Sequence, residues 1–95
     1  MLWGVYEKWD PGQYIVIYRV QAMSPISGDD VCFLDVCRGG NTIAKRRPAA
    51  TEFTAGQWTA MPILLDMRNP TTVEYRLWPN GHKIALDRIY IYKLP

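Results

Sequence analysis

The sequence predicts an all-β protein, an antiparallel sandwich or barrel of about seven strands, and three observations support this class. Apolar and polar residues alternate with a period of two through several runs of six to ten residues. Turn-forming clusters separate these runs at intervals of about 8 to 12 residues. No stretch has the 3.6-residue periodicity of an amphipathic helix. The 95 residues predict one domain, 1–95, because a chain of this length holds a single core.

Composition and charge argue against two classes of partner. The chain is 48% hydrophobic and carries a formal charge of only +2, so it lacks the concentrated basic surface of a dedicated nucleic-acid binder. No run approaches the ~18 apolar residues of a membrane-spanning helix. We therefore expect no nucleic acid and no membrane among its partners.

The first two strands are predicted at Leu2–Trp9 and Gln13–Met23, with a turn at Asp10-Pro11-Gly12 between them. The second strand begins apolar on both faces, so we expect it to lie centrally in its sheet. On its outer face, Ile15 and Ile17 are expected to be either covered or part of an association patch.

Three further strands follow a loop at residues 24–30, and a short connector separates the last of them from the other two. They are predicted at Val31–Cys37, Thr42–Lys45 and Trp58–Met67. The connector, Ala49–Gly56, is expected to contain one helical turn near Ala50–Phe53. Pro62 lacks a backbone donor, which favours either an edge position for the strand that contains it or a bulge there. Trp58 is expected to lie in the core.

The last two strands are predicted at Thr72–Trp78 and Lys83–Tyr92, paired as a hairpin. Asn80-Gly81 between them is a strong hairpin signal, because both residues accept positive φ. The apolar alternation shifts by one residue at Asp87-Arg88, where a β-bulge would absorb the shift.

Several short motifs resemble the small jelly-roll sandwiches of the carbohydrate-binding-module and galactose-binding-like kind, especially divergent copies attached to bacterial glycan-handling enzymes. The matching stretches span about Trp3 to Tyr92: Gly4-Val5-Tyr6, Pro11-Gly12-Gln13-Tyr14, Tyr18-Arg19-Val20, Leu34-Asp35-Val36, Glu52-Phe53, Val73-Glu74-Tyr75-Arg76-Leu77 and Leu86-Asp87-Arg88-Ile89. The resemblance implies a jelly-roll-type β-sandwich and a non-catalytic, carbohydrate-binding-like module. Such domains usually have a further strand before the position of Trp3, and a second copy of the chain would cover the edge left open.

The outward row of the sixth strand is the first candidate ligand site. Glu74, Arg76 and Trp78 alternate with the apolar residues of that strand and would offer an acceptor, a planar donor and a stacking surface to a saccharide. The alternative is a solvated or interfacial face with an ordinary Glu–Arg pair.

Aromatic residues near the start form a second candidate surface. Trp3, Tyr6 and Trp9 suit either binding or packing at an edge or dimer seam, and with Ile15 and Ile17 they define the expected homodimer interface. The rival function is therefore a structural or protein-interaction domain that self-associates through its aromatic and apolar sheet surface.

The remaining polar residues do not form a recognisable catalytic or metal motif. One histidine, His82, and two cysteines five residues apart, Cys32 and Cys37, lack zinc-site spacing, so no cofactor or metal is expected. His82 has no nucleophile motif around it, and we expect no enzyme. The two thiols are predicted to be free, which together with the absence of a signal peptide in this chain favours the cytoplasm.

Overall fold

The computed structural model describes residues 3–26, 31–68 and 71–95, and the side chains of residues 3–8 and 71 lie outside this description. The described residues contain seven strands and one 3-10 turn, Ala50–Glu52. The strands are β1 (Trp3–Trp9), β2 (Gly12–Ala22), β3 (Phe33–Arg38), β4 (Asn41–Arg46), β5 (Trp58–Met67), β6 (Thr71–Trp78) and β7 (Ile84–Lys93).

The strands form two antiparallel sheets, which confirms the predicted jelly-roll-type β-sandwich. The four-stranded sheet has the order β1-β6-β3-β4, and the three-stranded sheet has the order β5-β2-β7. Only β3 and β4 are consecutive neighbours within one sheet, so every other connection carries the chain from one sheet to the other. Residues that are distant in sequence therefore meet on the same face.

The core lies between the sheets and consists of the alternate residues that the period of two places inward. In β2, Val16, Tyr18 and Val20 are fully buried. They face a matching set on the other sheet that includes Leu34 of β3 and Tyr75 of β6. Because inward and outward residues alternate strictly, the position of the core also fixes which side chains point outward.

Most predicted strand positions agree with the structure to within two residues. The bounds of β5 agree at both ends, β2 is the central strand of its sheet, and β5 with Pro62 is an edge strand. Asp87 is the extra residue of a bulge, because Arg19 pairs with Arg88 whereas Val20 pairs with Leu86. The bulge at Asp87 is thus confirmed, as is the helical turn of the connector.

The predicted hairpin of β6 with β7 is wrong. Asn80 and Gly81 do have positive φ, 52° and 82°, and His82 donates its backbone N–H to the carbonyl of Pro79. The turn nevertheless joins strands of different sheets, since β6 pairs with β1 and β3 while β7 pairs with β2. Local turn chemistry was predicted correctly, but burial of β7 against β2 decided its partner.

Two tryptophans differ from expectation in their burial: Trp9 was expected at a binding surface, an edge or a dimer seam, and Trp58 in the core. Trp9 is only 6% exposed and packs in the core, with its ring centroid 4.3 Å from Tyr14 and 5.5 Å from Tyr75. It therefore does not contribute to an exposed binding or dimer surface. Trp58, which was expected in the core, is 40% exposed, and the guanidinium carbon of Arg19 lies 4.7 Å from the centre of its ring.

Candidate functional site

The outward row of β6 is held in place by an ion pair that crosses from β6 to β3. Arg76 lies directly opposite Asp35 in the antiparallel register. Its Nε donates to Asp35 Oδ1 at 2.9 Å and one terminal nitrogen donates to Oδ2 at 2.5 Å. Thr42 of β4 donates its hydroxyl to the same Oδ2 at 2.8 Å. Arg76 is therefore a structural partner of Asp35, and the pair is not the Glu–Arg pair considered from the sequence.

Asp35 is fully buried although it alternates outward with the core residues Leu34 and Val36. Its carbonyl oxygen also accepts a 2.6 Å hydrogen bond from the hydroxyl of Tyr18, which reaches across the core from the other sheet. Burial, and next the negative charge of Asp35, raise the pKa of Tyr18. The hydrogen bond to Asp35 in turn raises the pKa of Arg76, so this guanidinium stays charged.

Glu74 lies next along the row and interacts with a buried thiol. Cys37 of β3 is opposite Glu74, and its Sγ lies 3.5 Å from Glu74 Oε1 as a donor. Burial, and next the hydrogen bond to Glu74, raise the pKa of Cys37, so the thiol remains protonated. Cys32 and Cys37 are not joined by a disulfide, as predicted from their separation, and both are buried.

Trp78, at the end of the row, is half-buried and carries the least satisfied polar group of this face. Its ring lies opposite Phe33, and the guanidinium carbon of Arg76 is 5.3 Å from its centre. The indole N–H is buried and has no hydrogen-bond partner in the described structure. A buried donor without a partner costs free energy unless something else accepts its hydrogen bond.

The outer face of the three-stranded sheet has a different character. Two adjacent rows across β5, β2 and β7 are entirely apolar or aromatic. We call these six side chains the apolar patch: Ile15, Ile17, Pro62, Leu64, Tyr90 and Tyr92. Leu64 is 73% exposed and Tyr92 is 54% exposed. A sheet face open to water normally carries polar residues at these positions.

Charged residues border the patch at one end. Arg19 pairs with Asp87 at 2.6 Å, and Arg88 lies 3.3 Å from the same carboxylate. Arg19 and Arg88 are also directly opposite each other on β2 and β7. This end therefore carries two cations and one anion.

The opposite end of the patch carries an acidic group beside a depression. Asp66 and Gln13 are opposite each other there, and the side chain of Asp66 is 59% exposed. An open depression of about 240 Å³ adjoins them, lined by Gln13, Tyr14, Leu64, Leu65, Asp66 and Leu94. Arg68, whose Nε lies 3.9 Å from Asp66 Oδ2, adds a cation at this end. The patch thus has an apolar centre between two charged ends, which resembles the core and rim of a protein interface.

The remaining predicted site residues have varied positions. Ile15 and Ile17 are half-buried members of the apolar patch. Trp3 and Tyr6 lie on β1, but their side chains are outside the described residues, as are residues 27–30 of the predicted 24–30 loop. Four basic residues that are close in sequence, Arg38, Lys45, Arg46 and Arg47, lie at the end of β3 and in or directly after the edge strand β4. Arg46 of this group binds Glu52 and the carbonyl of Pro62.

Two features are absent from the described part of the chain. No group of three or more acidic, histidine or cysteine side chains is placed to hold a metal ion there. Nor does that part contain a helix with the length and apolar character needed to cross a membrane.

Sequence reasoning missed three residues of these surfaces. Pro62 and Leu64 belong to the apolar patch, and the alternation of β5 around Met61, Ile63 and Leu65 already pointed them outward. Asp35 was missed as the partner of Arg76, because strand register between β3 and β6 cannot be read from either strand alone.

Comparisons with models of protein families, with curated proteins and with solved structures found no significant match.

Proposed function

We propose that this protein is an interaction domain that self-associates through the apolar patch. The observation that supports it is the exposure of two adjacent apolar rows, with Leu64 at 73% and Tyr92 at 54%, on the outward face of β5, β2 and β7. Covering apolar area removes it from water and is favourable by about 25 cal/mol per Å². A second copy of the chain is the partner that is always present at the same concentration.

The edges of this sheet are protected, which favours association through its face. β5 contains Pro62, which cannot donate a ladder hydrogen bond, and β7 contains the bulge at Asp87 followed by the exposed Arg88. Prolines, bulges and charges on edge strands discourage the addition of another strand. The two apolar rows on the face between these edges contain no charged side chain.

The size of the patch predicts a reversible association of modest affinity. Six neighbouring side chains with these exposures present on the order of 400 Å² of apolar surface. A standard stable interface buries about 800 Å² on each partner, so the charged rim must supply the remainder. We therefore expect a dimer with a dissociation constant in about the micromolar range.

Sedimentation velocity or light scattering over about 1 to 200 µM tests the proposal, a range chosen to bracket micromolar affinity. We expect the average mass of the native chain to rise toward twice the monomer mass. Ile17→Lys or Leu64→Lys, each with native circular dichroism, should remain monomeric because burial of an unpaired charge opposes contact. Thr72→Lys is the matched control, since Thr72 is exposed on β6 of the other sheet. A native chain that stays monomeric, or patch variants that dimerise like the control, would contradict the proposal.

A second candidate function is saccharide binding at Glu74, Arg76 and Trp78. The observation in its favour is the buried indole N–H of Trp78, which lacks a partner in the described structure and which a ligand hydroxyl would satisfy. Glu74 is half-buried on the same strand and offers an acceptor, whereas Arg76 is already committed to Asp35. The motif resemblance to carbohydrate-binding modules supports the same site.

Calorimetric titration with mono- and oligosaccharides at millimolar concentration tests this second candidate. We expect binding by the native chain, and loss of binding in Trp78→Phe, which keeps a ring and removes the N–H. Trp58→Phe is the matched control, because Trp58 lies on the three-stranded sheet. Absence of binding by the native chain, or equal binding by Trp78→Phe, would rule out this site.

A further inference from the structure

We infer that two copies of the chain pack face to face across the apolar patch about a two-fold axis that runs across the strands, so that each β2 lies over the β2 of the other copy in the opposite direction. This inference rests on the proposed self-association and specifies the orientation of its partner.

Symmetry leaves two orientations to compare. A closed dimer of identical chains is isologous, so the same patch faces itself across a two-fold axis. Stacked sheets pack with strands aligned to within about 30°, and the orthogonal class requires strands that pass between the sheets, which two separate chains do not share. The axis therefore runs either along the strands, which places β5 over β7 of the other copy, or across them, which places every strand over itself reversed.

The charges at the two ends of the patch favour the axis across the strands. An axis along β2 would place Arg19 over Arg19 of the second copy. An axis across the strands exchanges the two ends, so that the Arg19–Arg88 end of each copy faces the Asp66 end of the other. Arg88 shares the carboxylate of Asp87 with Arg19, and Asp66 lies 3.9 Å from Arg68. The side chains of Arg88 and Asp66 are nevertheless 63% and 59% exposed, so each also reaches the surface that a partner would cover. Complementary charges fix the orientation of an interface and like charges oppose it.

The shapes of the side chains favour the same orientation. With the axis along the strands, Leu64 would meet Tyr92 of the second copy, and these are the two most exposed members of the patch. With the axis across the strands, Leu64 lies over the compact ring of Pro62 and Ile15 lies over Ile17. Tyr92 then lies over Tyr90 of the second copy, so the two most exposed side chains no longer meet and the aromatic rings form their own pair.

The depression beside Asp66 supplies a receptor for the basic end of the other copy. Its volume of about 240 Å³ is lined by apolar groups of Leu64, Leu65 and Leu94, with the carboxylate of Asp66 at its rim. This is below the range of about 300 to 1,000 Å³ that is typical of sites for small-molecule ligands. It suits one long side chain whose apolar stem is buried while its cationic head meets a carboxylate, which describes arginine.

Cysteine cross-linking distinguishes the two orientations. Gln13 and Ala60 are exposed, and each lies at an opposite end of the patch, because Ala60 pairs with Arg19 and Gln13 pairs with Asp66. The two ends are separated by six residues of β2, or about 20 Å. We would mix differently tagged Gln13→Cys and Ala60→Cys chains and add a bifunctional maleimide that spans the ~10 Å between stacked sheets, since a disulfide is too short for that gap.

We expect the cross-linked product of Gln13→Cys with Ala60→Cys to form in about tenfold or more the yield of the product of either variant with itself. Only the mixed pair of cysteines is close when the two ends of the patch are exchanged between the copies. The native chain is the blank, as Cys32 and Cys37 are buried, and Thr72→Cys on the other sheet is the control. A predominant cross-link between two Gln13→Cys chains would overturn the inferred orientation, while self-association through the patch would still hold. A dimer by mass with no product above the Thr72→Cys control would overturn both. A chain that is monomeric at every concentration would refute the proposed function, and the inference with it.

Discussion

The outer faces of the two sheets are made from the same kind of alternating strand. They differ in whether their outward side chains find interaction partners within the chain. On the four-stranded sheet, Asp35 binds Arg76 and Thr42, and Cys37 donates to Glu74. On the three-stranded sheet, the only polar side-chain groups of the two central rows are the hydroxyls of Tyr90 and Tyr92, and Leu64 and Tyr92 are left open to water. Apart from the indole N–H of Trp78, these polar groups of the first face find their partners within the chain. The other face acquires a favourable contact only from a second surface.

Among variants of the two faces, we expect the largest loss of folding stability when Asp35 is replaced. Asp35→Ala removes the acceptor of both Arg76 and Thr42 and leaves a guanidinium that is only 16% exposed without its partner. Removing one member of a buried pair costs about 3 to 5 kcal/mol. We expect the free energy of unfolding in urea to fall by that amount. A loss below about 1 kcal/mol would show that the pair is solvated like a surface salt bridge.

The hydroxyl of Tyr18 gives the next largest effect and depends on pH. Burial raises its folded-state pKa above the unfolded value of 10.0. The folded chain therefore keeps a proton that the unfolded chain releases, so the stabilisation is complete below pH 10 and is lost as the pH rises above it.

Tyr18→Phe should cost about 1 kcal/mol at pH 8, because the carbonyl of Asp35 loses its donor. It should also flatten the loss of stability between pH 9 and pH 11 in urea unfolding series, relative to the native chain. Tyr92→Phe is the matched control, as Tyr92 is exposed on β7. Equal alkaline slopes for the native chain and Tyr18→Phe would contradict the prediction.

A smaller effect, with the opposite sign, is expected at Trp78. Trp78→Phe removes a buried N–H that has no partner in the described structure, at a small cost in ring area. We expect the free energy of unfolding to stay level or rise by up to about 1 kcal/mol. A loss above about 2 kcal/mol would show that the indole N–H is satisfied in the folded chain.

The smallest effect on stability is expected on the apolar patch itself. Leu64→Ser should change the free energy of unfolding of the monomer by less than about 0.5 kcal/mol, because a side chain that is 73% exposed loses little contact. The measurement is thermal or urea unfolding at a protein concentration below the dimer transition. Leu65→Ser is the contrasting variant, since Leu65 is buried and should cost about 2 kcal/mol or more. Similar losses for both variants would mean that Leu64 packs within its own chain.

Some of both surfaces was accessible to sequence reasoning. Ile15 and Ile17 were expected on an outward face, and the period of two places them there in the structure, beside Tyr90 and Tyr92 of β7. Asp35 escaped recognition as the partner of Arg76, because the two lie on different strands, 41 positions apart in the sequence. The length of that separation means that only the register of β3 on β6 brings the two charges together.

The sequence by itself determined the strands, the positions of the turns, the bulge at Asp87 and, for most strand residues other than Trp9 and Trp58, which face is buried. Each of these depends on side-chain alternation and backbone conformational preference over a few residues. Only the tertiary structure decided that β6 and β7 join different sheets, that Trp9 is core while Trp58 is exposed, and that the apolar rows of three strands form one patch. The physical reason is that strand pairing is a long-range competition for buried area and hydrogen-bond partners, and no local pattern records its outcome.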